Sequence, residues 1–238
     1  MKIALLGYGR MGKIIEKIAR QRGHEIALII GRGDAERMTV ENLRKAEVAI
    51  DFSLPDAAFD NITACLRAGV PVVSGTTGWT ERLEEVRRLC TAENGAFFYA
   101  SNFSVGVNIF MEINERLAEL MNPQTDYEAK MTEIHHTRKL DAPSGTAITL
   151  AEQIIKKTKR YTDFSLEKNI AAQQIPIESI REGDVPGTHI IEYVSAADSL
   201  QIKHTAHGRT GFADGAVAAA EWLRGKNGNF GMKDMLRL

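Results

Sequence analysis

Through the first hundred residues, short apolar runs alternate with stretches whose apolar positions recur at helical spacing. Residues 2–6 (KIALL) fit a buried strand. Residues 11–22 carry Ile14, Ile15, Ile18 and Ala19 on one helical face, and Gly23 is a natural stop. The same reading gives strands at 25–30, 48–52, 70–74 and 96–99, with helices at 56–68 and 80–91. Strands alternating with helices of this length imply βαβ units and a parallel sheet covered on both faces.

The pattern changes after about residue 101. One long amphipathic helix is expected at 105–121, with Phe110, Ile113, Leu117 and Leu120 on one side. A long strand is expected at 126–136 and a helix at 147–159. Three strand-like runs, 175–180, 189–194 and 200–204, are joined by turn-rich segments, which reads as antiparallel sheet. An alanine-rich helix at 212–223 is placed to return to the first domain. The expected fold class is α/β: an N-terminal Rossmann-like, doubly wound parallel sheet plus a second α+β domain with a mixed or antiparallel sheet. The expected domains are 1–103 with 209–238, and 104–208.

Composition narrows the function classes. The chain has 238 residues, enough for two modest cores, and a formal net charge of −1. No global field draws in nucleic acid or an anionic membrane, so any anion must be bound by local charge. No apolar run approaches the roughly 20 residues of a bilayer span. The opening run is too short for a signal peptide, so a cytoplasmic location is expected. Cys65 and Cys90 fall inside expected helices and read as buried, reduced thiols.

Gly7-Tyr8-Gly9-Arg10-Met11-Gly12 spells G-x-G-x-x-G between a strand and a helix, the context that makes it a dinucleotide fingerprint. Gly7 permits the tight turn, Gly9 admits the pyrophosphate, and Gly12 lets helix and strand pack closely. The free N–H groups of the helix start then face the phosphates. The second strand ends in Gly31-Arg32-Gly33-Asp34, where an NAD enzyme usually places an acid. Arg32, helped by Arg10, is placed to pair with a 2′-phosphate, which favours NADPH. Asp34 can still hold a 2′-hydroxyl, so NADPH, NADH or both are expected, and Arg32 as a plain solvated cation stays open. The loops 51–53 and 75–78 close later strands, where ligands of such sheets sit.

The richest stretch is 133–147, EIHHTRKLDAPSGTA. Adjacent histidines on a strand point to opposite faces, and no ligand set at metal spacing completes a site, so no metal is expected. His135, His136, Arg138 and Lys139 crowd positive charge beside Ser144-Gly145-Thr146, which opens a helix. Cations plus unpaired helix N–H groups make a carboxylate site, although Asp141 or Ser144 can also simply cap that helix.

This run resembles the signature of the dihydrodipicolinate reductase family, E-x-H-H-x-x-K-x-D-A-P-S-G-T-A. The resemblance extends to GYGRMG at 7–12, DFS at 51–53, SGTTGW at 74–79, SNFSVGVN at 101–108, VPGTH at 185–189 and GRTGFADGAVAAAEWL at 208–223. It implies a nicotinamide-dependent reductase of lysine and diaminopimelate biosynthesis acting on a small cyclic dicarboxylate. It implies His135 as the acid/base residue, Lys139 as proton donor, and His136, Gly145 and Thr146 as carboxylate-binding residues. Nucleotide contacts are implied for Gly7, Tyr8, Gly9, Arg10, Met11 and Gly12, for Gly75, Thr76 and Thr77, and for Ala100, Ser101, Asn102 and Phe103. A homotetramer through the second domain is also implied. Two departures bear on cofactor preference: the glycine loop is one residue shorter than the family's usual form, and the acid after the second strand is missing. Two rival readings are carried. Another Rossmann-type amino-acid or imine dehydrogenase would share the glycine loop but has no reason to carry the His-His-x-x-Lys and Ser-Gly-Thr arrangement. A non-catalytic dinucleotide sensor would need a DNA-reading or oligomerisation module, and no basic recognition helix or tail is visible.

Overall fold

The computed structural model of the chain describes residues 1–167, 171–208 and 210–238. The chain divides into two compact units, Met1–Val105 with Thr210–Leu238, and Gly106–Arg209. The expected boundary at 208/209 falls on Arg209, which lies outside the described residues.

The first unit begins with β1 (Lys2–Leu6), α1 (Arg10–Gln21), β2 (Glu25–Ile30), the short α2 (Val40–Leu43), β3 (Val48–Asp51), α3 (Pro55–Arg67), β4 (Val72–Ser74), α4 (Leu83–Ala92) and β5 (Ala96–Tyr99). Strands this short with nearly every position buried are those of a sheet covered on both faces.

The second unit carries α5 (Val105–Met121), β6 (Glu128–His135), α6 (Gly145–Lys157), β7 (Asp163–Ser165), β8 (Gln174–Arg181), β9 (Thr188–Val194) and β10 (Ser199–Thr205). Its five-stranded sheet has the order β10-β9-β6-β8-β7. β9 and β10 pair antiparallel, as do β6 and β9, whereas β8 runs parallel to β6 and β7 parallel to β8. The simple antiparallel reading of the last three strands is therefore corrected. β6 inserts between β8 and β9, and periodicity marks strands without naming their partners. Alternate residues of β6 are buried (Ala129, Met131, Glu133, His135), so one face of this sheet carries both the core and the polar site. Phe110, Leu117 and Ala118 of α5 and Leu150, Ala151 and Ile154 of α6 pack in that core. Ile113 and Leu120, expected on the inner side of α5, are 46% and 53% exposed. Asn114 takes the inner position instead, donating to Leu150 O and to Gln153 Oε1 at 3.0 Å each.

The chain then returns to the first unit as α7 (Thr210–Leu223), β11 (Gly228–Phe230) and α8 (Met232–Leu236). The first sheet has the order β11-β5-β4-β3-β1-β2, with every pairing parallel. Ile15 and Ile18 of α1 and Ala216, Val217 and Ala220 of α7 bury one face, with Ile3, Leu5, Ile50 and Phe98. Ile62 and Leu66 of α3 and Val86 of α4 bury the other, with Ala4, Leu6, Val72 and Phe97. Register aligns Leu6 with Ile30 and Asp51, Asp51 with Ser74, and Ser74 with Tyr99. The loops beginning at Gly7, Gly31, Phe52, Gly75 and Ala100 thus leave one edge together. Among the described residues, no helix is long and apolar enough to cross a membrane.

Candidate active site

At that edge the glycine loop has little freedom. Gly7 has φ +92°, and a Cβ there would lie 2.1 Å from Phe52 O; a Cβ on Gly12 would lie 2.3 Å from Gly7 O. A Cβ on Gly9 would meet nothing within 4 Å. The N-cap of α1 is Gly9 itself, with no side-chain hydrogen bond to the helix N–H groups. Two glycines therefore hold the turn against the sheet, and the third leaves a bare helix N-terminus facing open space, which suits a pyrophosphate.

A cavity of ≈ 810 Å³ begins at this loop and runs past Gly31, Arg32, Met38 and Leu54. Gly7, Tyr8 and Gly9 line it. A second groove joins Gly9, Arg10 and Met11 to Ser53, Gly75, Thr76 and Thr77. Arg32 is exposed on the cavity wall and makes no ion pair among the described residues. Asp34 folds back, its Oδ2 accepting from Gly31 N at 2.8 Å, so its carboxylate closes the turn after β2. Of the run 100–103, Ala100 and Phe103 are buried, and Phe103 packs its ring on Phe52 and Phe98 at 5.6 and 5.8 Å. Ser101 is exposed, and Asn102 Oδ1 accepts from Ser104 N.

One residue of this edge was placed in a ligand-side loop by the sequence but given no role of its own. Asp51 is fully buried and accepts from Ser53 Oγ, Asn61 Nδ2, Ser74 Oγ and Thr76 Oγ1 at 2.7–3.0 Å. Burial pushes its carboxyl up, against those four hydrogen bonds. Thr76 Oγ1 also accepts from Ser53 N at 2.9 Å, so Asp51 ties the loops after β3 and β4 into one surface.

In the second unit β6 delivers His135 to its C-terminal end, buried and edge-to-face on His189 of β9, with ring centroids 5.2 Å apart. The His135 Nδ1 contacts Glu133 Oε2 as an ion-pair partner. Glu133 is itself buried; its Oε1 accepts from Arg181 at 2.8 Å and from Ser144 N at 3.3 Å. Burial pushes the Glu133 carboxyl up, but Arg181, Ser179 and His135 outweigh it and hold it below the usual range. Burial pushes His135 down; Glu133 opposes that, and Lys139 adds to it. Lys139 thus lies close enough to act on the imidazole. His189, more deeply buried, is pushed down to about 4. Gly187 passes so near that a Cβ there would sit 3.0 Å from His135 Nε2.

The remaining signature residues surround the start of α6. Lys139 Nζ donates to both Asp141 oxygens at 2.8 and 2.7 Å. Arg138 pairs with Asp184 at 2.7 Å. Much of the positive charge that seemed to require an external anion is therefore balanced within the chain. Ser144 Oγ caps α6 by accepting from Ala147 N at 3.2 Å, and meets His189 Nε2 at 3.1 Å. That cap leaves the N–H groups of Gly145 and Thr146 without intrahelical partners. His136 is half-buried, and its Nδ1 is buried with no hydrogen-bond partner among the described residues. Unpaired donors and a half-buried imidazole beside a lysine can hold carboxylates while a neighbouring imidazole moves a proton.

Glu133, Gly187 and His189 were legible only as letters of the quoted motifs, and Arg181 lay in none of them. Among the described residues, Glu133, His135 and His189 place ligand atoms within 4.8 Å of one another, a grouping the spacing argument did not foresee. Arg181 and Ser144 already occupy Glu133 and His189, so the geometry is that of a proton network.

Models of two families match the chain: "Dihydrodipicolinate reductase, N-terminus" over residues 1–103 and "Dihydrodipicolinate reductase, C-terminus" over 106–236. The 4-hydroxy-tetrahydrodipicolinate reductase of Christiangramia forsetii is 50% identical, covering 99% of this chain and 98% of its own. That of Lawsonia intracellularis is 32% identical over 90% of each. Among solved structures, a dipicolinate-bound dihydrodipicolinate reductase from Paenisporosarcina sp. TG-14 superposes with a TM-score of 0.82 at 22% identity, covering 98% of both chains.

Proposed function

The chain belongs to the dihydrodipicolinate reductase family, and on that premise we propose how its residues reduce 4-hydroxy-2,3,4,5-tetrahydrodipicolinate to 2,3,4,5-tetrahydrodipicolinate and water. The enzyme is an NAD(P)H-dependent oxidoreductase of lysine and diaminopimelate biosynthesis. NAD(P)H supplies the hydride. The glycine loop and the ≈ 810 Å³ cavity beside it suit the dinucleotide. Arg10, Met11 and Gly75–Thr77 line the adjoining groove, and Ala100–Phe103 form the loop after β5.

The observation that carries the catalytic assignment is the buried His135 with Lys139 acting on it, near the start of α6, where the Ser144 cap serves Ala147 N and leaves the first N–H groups free. Gly145 and Thr146 N–H groups and the His136 imidazole hold the substrate carboxylates; the solved relative from Paenisporosarcina is bound to dipicolinate, a ring with two such groups. The bound dianion raises the proton affinity of His135 and supports the Lys139 ammonium. The 4-hydroxyl leaves as water with a proton lost from the adjacent ring carbon, and as hydride reaches the conjugated ring His135 and Lys139 supply the proton that balances it.

The enzyme is further read as a cytoplasmic homotetramer. Ile134, Ile180, Ile190 and Val194 lie on the face of the second sheet opposite its buried core, and all are partly exposed. Ile134, Ile180 and Ile190 make an apolar patch there, bordered by the Lys130–Glu192 ion pair, and such a patch suits a copy of the same sheet. Light scattering at micromolar concentration should give a tetramer; a monomer would overturn this reading. For the activity, pyruvate and aspartate semialdehyde condensed by a synthase should oxidise NADPH or NADH when the protein is added. No oxidation with either nucleotide would overturn it.

A further inference from the structure

We propose that Glu133 is the positioning residue of the reductase site: it holds the Nδ1 proton of His135, so that Nε2 is the nitrogen that exchanges a proton with the substrate ring. The proposal rests on the reaction assigned above. Its basis is the arrangement around one buried carboxylate. Oε2 lies against His135 Nδ1. Oε1 accepts from Arg181 of β8 and from Ser144 N at the head of α6. Ser179 of β8 also acts on this carboxylate. A buried carboxylate whose Oε2 meets one imidazole nitrogen as an ion-pair contact draws the ring proton to that nitrogen, because the partner of one ring nitrogen decides the state of the other.

Among the described residues, no other partner of the ring competes for this role. Its neighbours with charge or a titratable group are Arg181 on β8, His189 on β9 and Lys139 in the loop after β6, with His204 of β10 acting on His189. Arg181 and Lys139 disfavour a proton on His135, and His189 is neutral at neutral pH. Glu133 is the group that favours it. Arg181 keeps Glu133 ionised, and the head of α6 shares the same carboxylate, so the proton-bearing ring and the helix that holds carboxylates are set by one residue. Gly187 leaves room beside Nε2, where the absence of a side chain allows the ring to sit in its edge-to-face contact with His189. In turnover solvent protonates Nε2 once the dianion is bound, that proton passes to the substrate ring as hydride arrives, and the Nδ1 proton stays on the imidazole, held by the Glu133 carboxylate.

Two experiments test this. Ring nitrogen NMR of the intact protein, with His135 assigned by its loss in His135→Gln, reads the tautomer directly. A neutral His135 protonated on Nδ1 is expected; a proton on Nε2 overturns the proposal whether or not the protein reduces anything. In kinetics, Glu133→Gln keeps the shape and removes the charge. Turnover at neutral pH should fall about tenfold or more, and its decline with rising pH should move down by at least about one pH unit. The Michaelis constant should stay within about threefold, and Glu133→Asp should restore part of the shift. An unchanged pH profile in a folded Glu133→Gln protein overturns the proposal, whereas absence of activity in the parent overturns the reaction assignment instead.

Discussion

In the first unit the proposed ligand-facing surface is backbone and space: a turn held by Gly7 and Gly12, a helix start capped by Gly9, and loops tied by the buried Asp51. In the second it is buried charge, with Glu133, Arg181, His135 and His189 contributed by β6, β8 and β9. The first kind of site leaves almost no room for added atoms at Gly7 and Gly12. The second depends on the charges of Glu133 and Arg181 staying in place. Each unit should therefore fail in its own way.

The largest effect should come from removing a proton carrier. Lys139→Ala should lower turnover about 10²–10⁴-fold, and combining it with His135→Ala should cost less than the product of the two, since groups acting as one unit are not additive. Steady-state rates of the three variants test this; a fully multiplicative loss would separate the two residues.

A charge-based site should also show in stability. His189 titrates at about 4 when folded against 6.5 in an unfolded chain. Between those values the unfolded state holds the extra proton, so stability is full above about pH 6.5 and falls as pH drops toward 4, by roughly 3 kcal/mol. Urea unfolding from pH 7 to 4 should show that slope, and His189→Asn should flatten it. A slope unchanged in His189→Asn would remove His189 as its source.

The backbone site should break on one methyl group. Gly12→Ala places a Cβ 2.3 Å from Gly7 O, so the loop must shift. NADPH affinity, followed by nucleotide fluorescence, should fall tenfold or more, about 1.4 kcal/mol. Full affinity would mean that the loop is looser than its packing. The smallest effect expected is discrimination. Arg32→Ala should weaken NADPH more than NADH, by several-fold, since it is the exposed cation on the cavity wall. Equal losses would show that Arg32 does not read the 2′-phosphate.

The same contrast explains what the sequence disclosed. The glycine loop is local: three residues in six, between a strand and a helix, carry both its geometry and its role. The alternation of β1 to β5 with α1, α3 and α4 was likewise readable from periodicity, whereas the four-residue α2 was too short to show. The charged site is not local. Arg181 reaches Glu133 across 48 residues, and Ser144 reaches His189 across 45. Those contacts exist only because β6 lies between β8 and β9, an order that strand patterns do not encode. β7 and β11, three residues each, are too short to carry a pattern. Ile113 and Leu120 followed helical spacing yet stay exposed, because an apolar stripe does not say which neighbour covers it.

The division of labour between the units is tested most directly by one single-turnover experiment. His135→Ala protein is loaded with NADPH and mixed with freshly condensed substrate, and nucleotide fluorescence is followed before and after mixing. Nucleotide binding should match the parent, while NADPH oxidation slows about 10²–10⁴-fold. Oxidation within about threefold of the parent, well short of a general-acid effect, would contradict the assignment of proton transfer to the second unit.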